Sequence, residues 1–208
     1  MPDGPLLEIA AISLRLEVGD LTVVKATSDS WHGLDAADVA LNGDTIADWP
    51  DDLRLRAGLF TTTGRPAPVP GIATIDLVHA MVNSGSVMER QALAATWCDR
   101  LQLDHELLQR PLDAGFTPVE SVGVELLHLA MLRPAVAVLD LVATPHPSGP
   151  GVNHSIVHGI RQLRSNQPDI AVVVVTNDDE LIAALGPDHV TTCAGTDVGR
   201  THRDEALL

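Results

Sequence analysis

Three rhythms of apolar and polar residues run along the chain. From Leu6 to Val24, in "LLEIAAISLRLEVGDLTVV", short apolar stretches alternate with polar residues and break at Gly19-Asp20. That pattern predicts two or three short strands. "DVALNGDTIADW" sets Asn42-Gly43 between apolar runs, a hairpin signal because this pair accepts the positive φ angles of a tight turn. "GLFTTTGRPAPVPGI" predicts a strand from Gly58 that runs into a loop stiffened by Pro66, Pro68 and Pro70.

In the middle of the chain the apolar spacing changes to three and four. "TIDLVHAMVN", "MERQALAATWCDRLQL" and "DHELLQRPL" read as helical. Thr117 and Glu120 in "TPVESVGVELLHLAML" form a capping-box pair, with Pro118 at the first helical position. That helix runs to about Leu132 and delivers the chain into a strand at Val136–Leu139. The last third alternates again. After the loop "TPHPSGPG" come a helix over "VNHSIVHGIRQLRS", the all-apolar strand "IAVVVV", a helix around "DDELIAAL", and an edge hairpin over "HVTTCAG…VGR". Continuous apolar strands separated by helices predict a parallel sheet covered on both faces. The fold class is α/β with a β-rich lobe and a helical insertion.

Composition narrows the function. The chain has 208 residues, 45% of them hydrophobic, enough for one domain with a substantial core. A net charge of −15, with Lys25 the only lysine, argues against nucleic acid and anionic membrane surfaces as partners. Cys98 and Cys193 stand alone, which fits a reducing, cytoplasmic setting. The N-terminal sequence lacks the order of a signal peptide, and no apolar run approaches the roughly 20 residues of a spanning helix. Direct membrane insertion is not expected.

Three segments carry a family resemblance: "GLFTTTGRPAPVPGI", "LQRPLDAGFTPVESVGVELLHLAMLRPAVAVLD" and "GVNHSIVHGIRQLRSNQPDIAVVVVTNDDELIAALGPDHV". Their residues and order resemble the ABC-type ATPases, most nearly SufC, the ATPase of the SUF iron–sulfur cluster assembly machinery. The resemblance implies a P-loop-type core sheet. It divides the chain into a β-rich lobe with the P-loop region over 1–72, a helical subdomain over 73–131, and core strands and helices over 132–208. In the family the second segment contains the signature motif and ends in the Walker B strand.

The departures fall on the chemistry. A P-loop needs GxxxxGK[ST], whose backbone N–H groups and lysine hold the phosphates. After "DLTVV" this chain reads "KATSDSWHGLD", with His32 where the lysine stands in the family and Gly33 where the hydroxyl residue stands. Lys25 has no glycine before it and Ala26 after it. "DAADVALNG" then runs directly into the hairpin, so the helix that follows a P-loop is read as deleted. The Q-loop glutamine falls on Gly64, and the signature on Thr117, Pro118, Val119 and Glu120. Walker B keeps Asp140 but has Leu141 in place of the catalytic glutamate, and the switch histidine falls on Asn177.

The expectation is therefore a catalytically inactive SufC-like protein with vestigial nucleotide positions at His32, Gly33, Gly64, Glu120, Asp140, Leu141 and Asn177. It is read as a non-enzyme with no cofactor, and Mg-ATP belongs to the alternative of an ATP-binding subunit with altered motifs. It would act by docking to a protein: a SUF scaffold-type subunit, a functional ABC ATPase, or a second copy. The docking candidates are Gly64, Arg65, Pro66, Pro68 and Pro70, because a stiff proline loop loses little entropy on binding.

Other chemistry is sparse. Asp140 has a plain reading as a strand-end cap, and Glu120 as the capping-box carboxylate. His154 and His158 share a helix face with metal-ligand spacing, His146 is near in sequence, and no zincin glutamate lies between the pair. An exposed helix face is the simpler reading, so no metal is expected. A metal or small-molecule module on a reused scaffold stands as a further alternative. No GxSxG elbow is present, and "DWPDD" reads as a solvated loop.

Overall fold

The alternation of valines decides how the layers stack. A computed structural model describes residues 6–27, 31, 34, 39–62, 69–82, 85–142 and 150–193. Five strands form a parallel sheet: β3 (Leu21–Lys25), β6 (Leu59–Thr62), β7 (Val136–Asp140), β8 (Ala171–Thr176) and β9 (His189–Thr192), in the order β6-β7-β8-β3-β9. On β7 and β8, Ala137, Leu139, Val172 and Val174 point to one face, and Val136, Val138, Ala171, Val173 and Val175 to the other. Both faces are dry, which is why these strands read as unbroken apolar runs.

The first face is covered by helices. These are α2 (Thr74–Met81), α3 (Val87–Leu101), α4 (Pro118–Leu132), α5 (Pro150–Asn166) and α6 (Asp179–Leu185). α4 is buried from Ser121 to Met131 and lies at the centre of this layer. Its capping box is formed: Glu120 N–H donates to Thr117 Oγ1 at 3.3 Å, and Thr117 N–H donates to Glu120 Oε2 at 2.7 Å. α4 and α5 come close at Gly159, where an added Cβ would stand 2.4 Å from Leu126 Cδ1. Only glycine permits that approach without moving the leucine.

The second face is covered by another sheet. β1 (Leu7–Ile9), β2 (Leu14–Leu16), β4 (Val39–Leu41) and β5 (Asp44–Thr45) pair antiparallel in the order β2-β1-β4-β5. Leu7, Ile9, Leu14, Leu16, Val39 and Leu41 pack with Val24, Val136, Val138, Val173 and Val175 of the parallel sheet. Trp31 and Leu34 belong to the same cluster, at 8% and 4% exposure. Among the described residues no helix lies between β3 and β4, and the two sheets share one core.

Several local expectations change. The Asn42-Gly43 hairpin forms, joining β4 to β5 with both residues at positive φ. "DHELLQRPL" yields only a short 3₁₀ turn over His105–Leu108. "DWPDD" is not all loop: Asp51 and Asp52 open α1 (Asp51–Arg56), where acidic residues favour a helix N-terminus. That helix is held by the buried Arg54, which donates to the carbonyls of Ile46 and Ala47. "HVTT" adds to β3 as a parallel edge strand, and the rest of the expected hairpin lies outside the described residues. No described helix is long and apolar enough to cross a membrane.

Candidate functional site at the carboxyl ends of the strands

Three polar positions of the sequence reading meet where β3, β8 and β7 end. Lys25 pairs with Thr176 in register, and Asp140 with Val175. Parallel α/β sheets place ligand sites at these carboxyl ends, at the point where loops diverge.

Asp140 is buried at 6% exposure. Its Oδ2 accepts from the Trp31 indole Nε1–H at 2.8 Å, and its Oδ1 accepts from the Val142 N–H at 3.1 Å. Two N–H donors offset part of the cost of taking this carboxyl group out of water. Leu141 continues the sheet, donating its N–H to Val175 O at 2.9 Å, and its side chain packs on the helical side of the core. The position is apolar in character and in contacts.

Lys25 turns to Asp179 in the first turn of α6, with Nζ 2.6 Å from Oδ1. Beside it, Thr176 Oγ1 accepts from Asp178 N–H at 3.1 Å. Asp178 caps α6, its Oδ1 accepting from the N–H groups of Glu180 and Leu181, while Oδ2 accepts from Asn153 at 2.9 Å. The Asn153 amide, then the Leu181 N–H, hold the Asp178 carboxyl below its usual range against the opposing effect of burial. Asn177 is exposed between these two anchors.

At the start of α4, Glu120 serves structure. The Thr117 N–H depresses its pKa most, burial opposes this, and Arg110 lowers it further. Arg110 donates to Glu120 Oε1 at 2.7 Å and to Gly115 O at 3.0 Å, with its guanidinium over the Phe116 ring. Pro118 occupies the first helical position, so this turn offers no N–H there.

His32, Gly33, Gly64, Arg65, Pro66 and Pro68 lie outside the described residues, as does His146. Pro70 is exposed and sits with Gly71 at the centre of a turn. Gly71 has φ +72°, and Ile72 N–H donates to Val69 O at 3.3 Å, the arrangement of a type II turn.

Sequence reasoning did not find Trp31, whose partner is 109 positions away. It also missed a buried polar cluster. Thr62 at the end of β6 donates to Glu125 on α4, and His128 Nδ1 stands 3.7 Å from the same carboxylate. A Glu and a His three apart on an otherwise apolar helix were the available signal. A groove of about 230 Å³ lined by Leu21, Val157, Ile160, Arg161, Arg164 and Leu185 opens beside the start of β3, at the opposite end of the sheet.

No protein-family model matches the chain. In sequence it is 27% identical over 161 residues to a probable ABC transporter ATP-binding protein of Streptococcus pyogenes, covering 73% of this chain and 60% of that protein. It is 26% identical over 161 residues to vegetative protein 296 of Bacillus subtilis, covering 73% and 59%. A probable ATP-dependent transporter of Synechocystis is 24% identical over 195 residues, covering 88% and 74%. The chain thus spans about 60% of the length of the first curated relatives it matches.

Among solved structures, CbiO1 from Clostridium perfringens, part of the ABC transporter complex CbiONQ, superposes with a TM-score of 0.68 at 14% identity, covering 91% of this chain and 85% of that one. A nucleotide-free ATP-binding cassette from an ABC transporter gives 0.65 at 16% identity, covering 88% and 80%. The chain has the α/β fold of the ATP-binding cassette, and in sequence it is similar to proteins described as ATP-binding subunits of ABC transporters and as ATP-dependent transporters.

Proposed function

We propose that this chain is a cassette-type subunit that works by association with other proteins and does not turn over ATP. The observation that carries the reading is the engagement of Asp140 by the Trp31 indole and the Val142 N–H. In this reading the P-loop helix has been lost, the antiparallel sheet has settled directly on the parallel sheet, and Trp31 and Leu34 take up the remaining volume. Three features of the described residues support this reading over Mg-ATP binding. Both carboxylate oxygens of Asp140 are committed, the one lysine is drawn to Asp179, and Leu141 has no group to polarise water.

The assignment to the SUF branch rests on the three sequence segments quoted above. With it, the partner is a SUF scaffold-type subunit, a functional ABC ATPase or a second copy of this chain. One structural neighbour, a bacterial ABC transporter cassette, is itself dimeric. The proline segment 64–70 is the docking candidate, and a cytoplasmic location follows.

The relatives favour a second reading, an ATP-binding subunit with altered motifs, because the Streptococcus pyogenes protein is described as an ATP-binding protein of an ABC transporter. Thermal unfolding with and without millimolar Mg-ATP separates the two. A ligand at one hundred times its dissociation constant stabilises the native state by about 2.7 kcal/mol. In a domain of this size each kcal/mol moves the midpoint by roughly 2–4 °C. The first reading expects no nucleotide-specific shift, and a rise of several degrees that requires both Mg²⁺ and ATP establishes the second.

A further inference from the structure

His154 and His158 stand one turn apart on α5, with ring planes within 7° of parallel and centroids 6.2 Å apart. His158 Nε2 is 2.7 Å from the carbonyl oxygen of Arg100 on α3. A carbonyl oxygen only accepts, so Nε2 carries the proton, and the neutral ring keeps its lone pair on Nδ1. A histidine that ligates a metal is oriented in this way. Its second nitrogen donates to a backbone carbonyl, which fixes the tautomer and makes the other nitrogen more basic. His154 is exposed, and its ring can turn about its own side-chain bonds to meet the same ion. Two histidines four apart on a helix supply adjacent ligands.

We propose that His154 and His158 form a two-imidazole site for a borderline divalent transition metal, with His158 preset to bind through Nδ1 and solvent completing the coordination. Among the described residues no group of three or more His, Cys, Asp or Glu converges on a metal position. The site is therefore open and exchangeable, unlike a closed structural zinc centre. Imidazole ligands favour Cu²⁺ over Zn²⁺ and select against Mg²⁺ and Ca²⁺. The neighbouring cations set an upper limit on affinity: Arg100 lies over the Trp97 ring, and Arg161, three residues past His158, donates to Ala184 O.

The test is calorimetric titration of the untagged full chain with CuCl₂ and with ZnCl₂ near neutral pH. It is repeated on His154→Ala, His158→Ala and the control His105→Ala, whose histidine is exposed elsewhere and paired with Asp99. One-to-one copper binding is expected, tighter than zinc, absent from both site variants and kept in the control. Copper spectra of the parent should show nitrogen coupling from two imidazoles. Copper binding that survives His154→Ala in folded protein overturns the proposal, as does a folded parent that binds no copper saturably. His154 is exposed, so its variant keeps the test open even where His158→Ala unfolds the chain.

Discussion

The Trp31 indole N–H donates to Asp140 Oδ2 at 2.8 Å and joins positions 109 residues apart in a buried contact. Trp31 reaches it from the segment after β3, and Asp140 ends β7. The bond therefore fastens Trp31 to the carboxyl end of β7, an interior strand of the parallel sheet. It also commits the one carboxylate of β7 to a protein donor.

Trp31→Phe keeps most of the ring and removes that donor. The buried carboxylate then retains fewer partners, and stability should fall by roughly 1–3 kcal/mol, read from urea unfolding midpoints. The loss should shrink in an Asp140→Leu background, where no carboxylate is left to satisfy. Equal stability of Trp31→Phe and the parent protein would show that the bond does not hold the segment in place.

Acid should weaken the fold through its capping carboxylates. Glu120 and Asp178 both have folded pKa values below their ordinary ones. A depressed carboxylate contributes stability that is present above its unfolded pKa and is lost as pH falls through the folded value. The loss should therefore begin below about pH 5 and deepen beyond the ordinary carboxylate range. Asn153→Ala removes the largest cause of the Asp178 shift. The variant should be less stable at neutral pH and lose less on acidification. An acid dependence identical to the parent's would remove Asp178 from the explanation.

The two thiols should differ sharply. Burial, aided by Asp99 and Asp104, pushes Cys98 up to about 11. Cys193, at the end of β9, is half-buried. Because the thiolate is the reactive form, Cys98 in a Cys193→Ser variant should react with a disulfide reagent near pH 8 only as fast as the protein opens. The rate should rise steeply in denaturant. Rapid modification of folded Cys193→Ser would contradict the burial of α3 against the core.

Local signals in the sequence were enough for elements whose causes are local. Thr117, Pro118 and Glu120 lie within four residues, and their capping box starts α4 where the spacing placed it. Asn42-Gly43 closes its hairpin by its own φ preferences. The apolar runs of β7 and β8 signalled two covered faces. α1 escaped notice because its support comes from Arg54 reaching back to Ile46 and Ala47. The pairing of β9 escaped as well, since a four-residue strand does not say which edge it joins.

By itself the sequence determined the α/β class, the order of elements, the N-terminal cap of α4 and the apolar Leu141 that follows Asp140. These depend on residue type and on spacings of a few residues. Only the tertiary structure decided that the antiparallel sheet packs on the parallel one, that Trp31 lies against Asp140, and that Lys25 turns to Asp179. Two of those contacts join residues more than a hundred positions apart, and the energies of the sheet packing and of the buried Trp31–Asp140 bond come from burial and desolvation. Neither exists until the layers close.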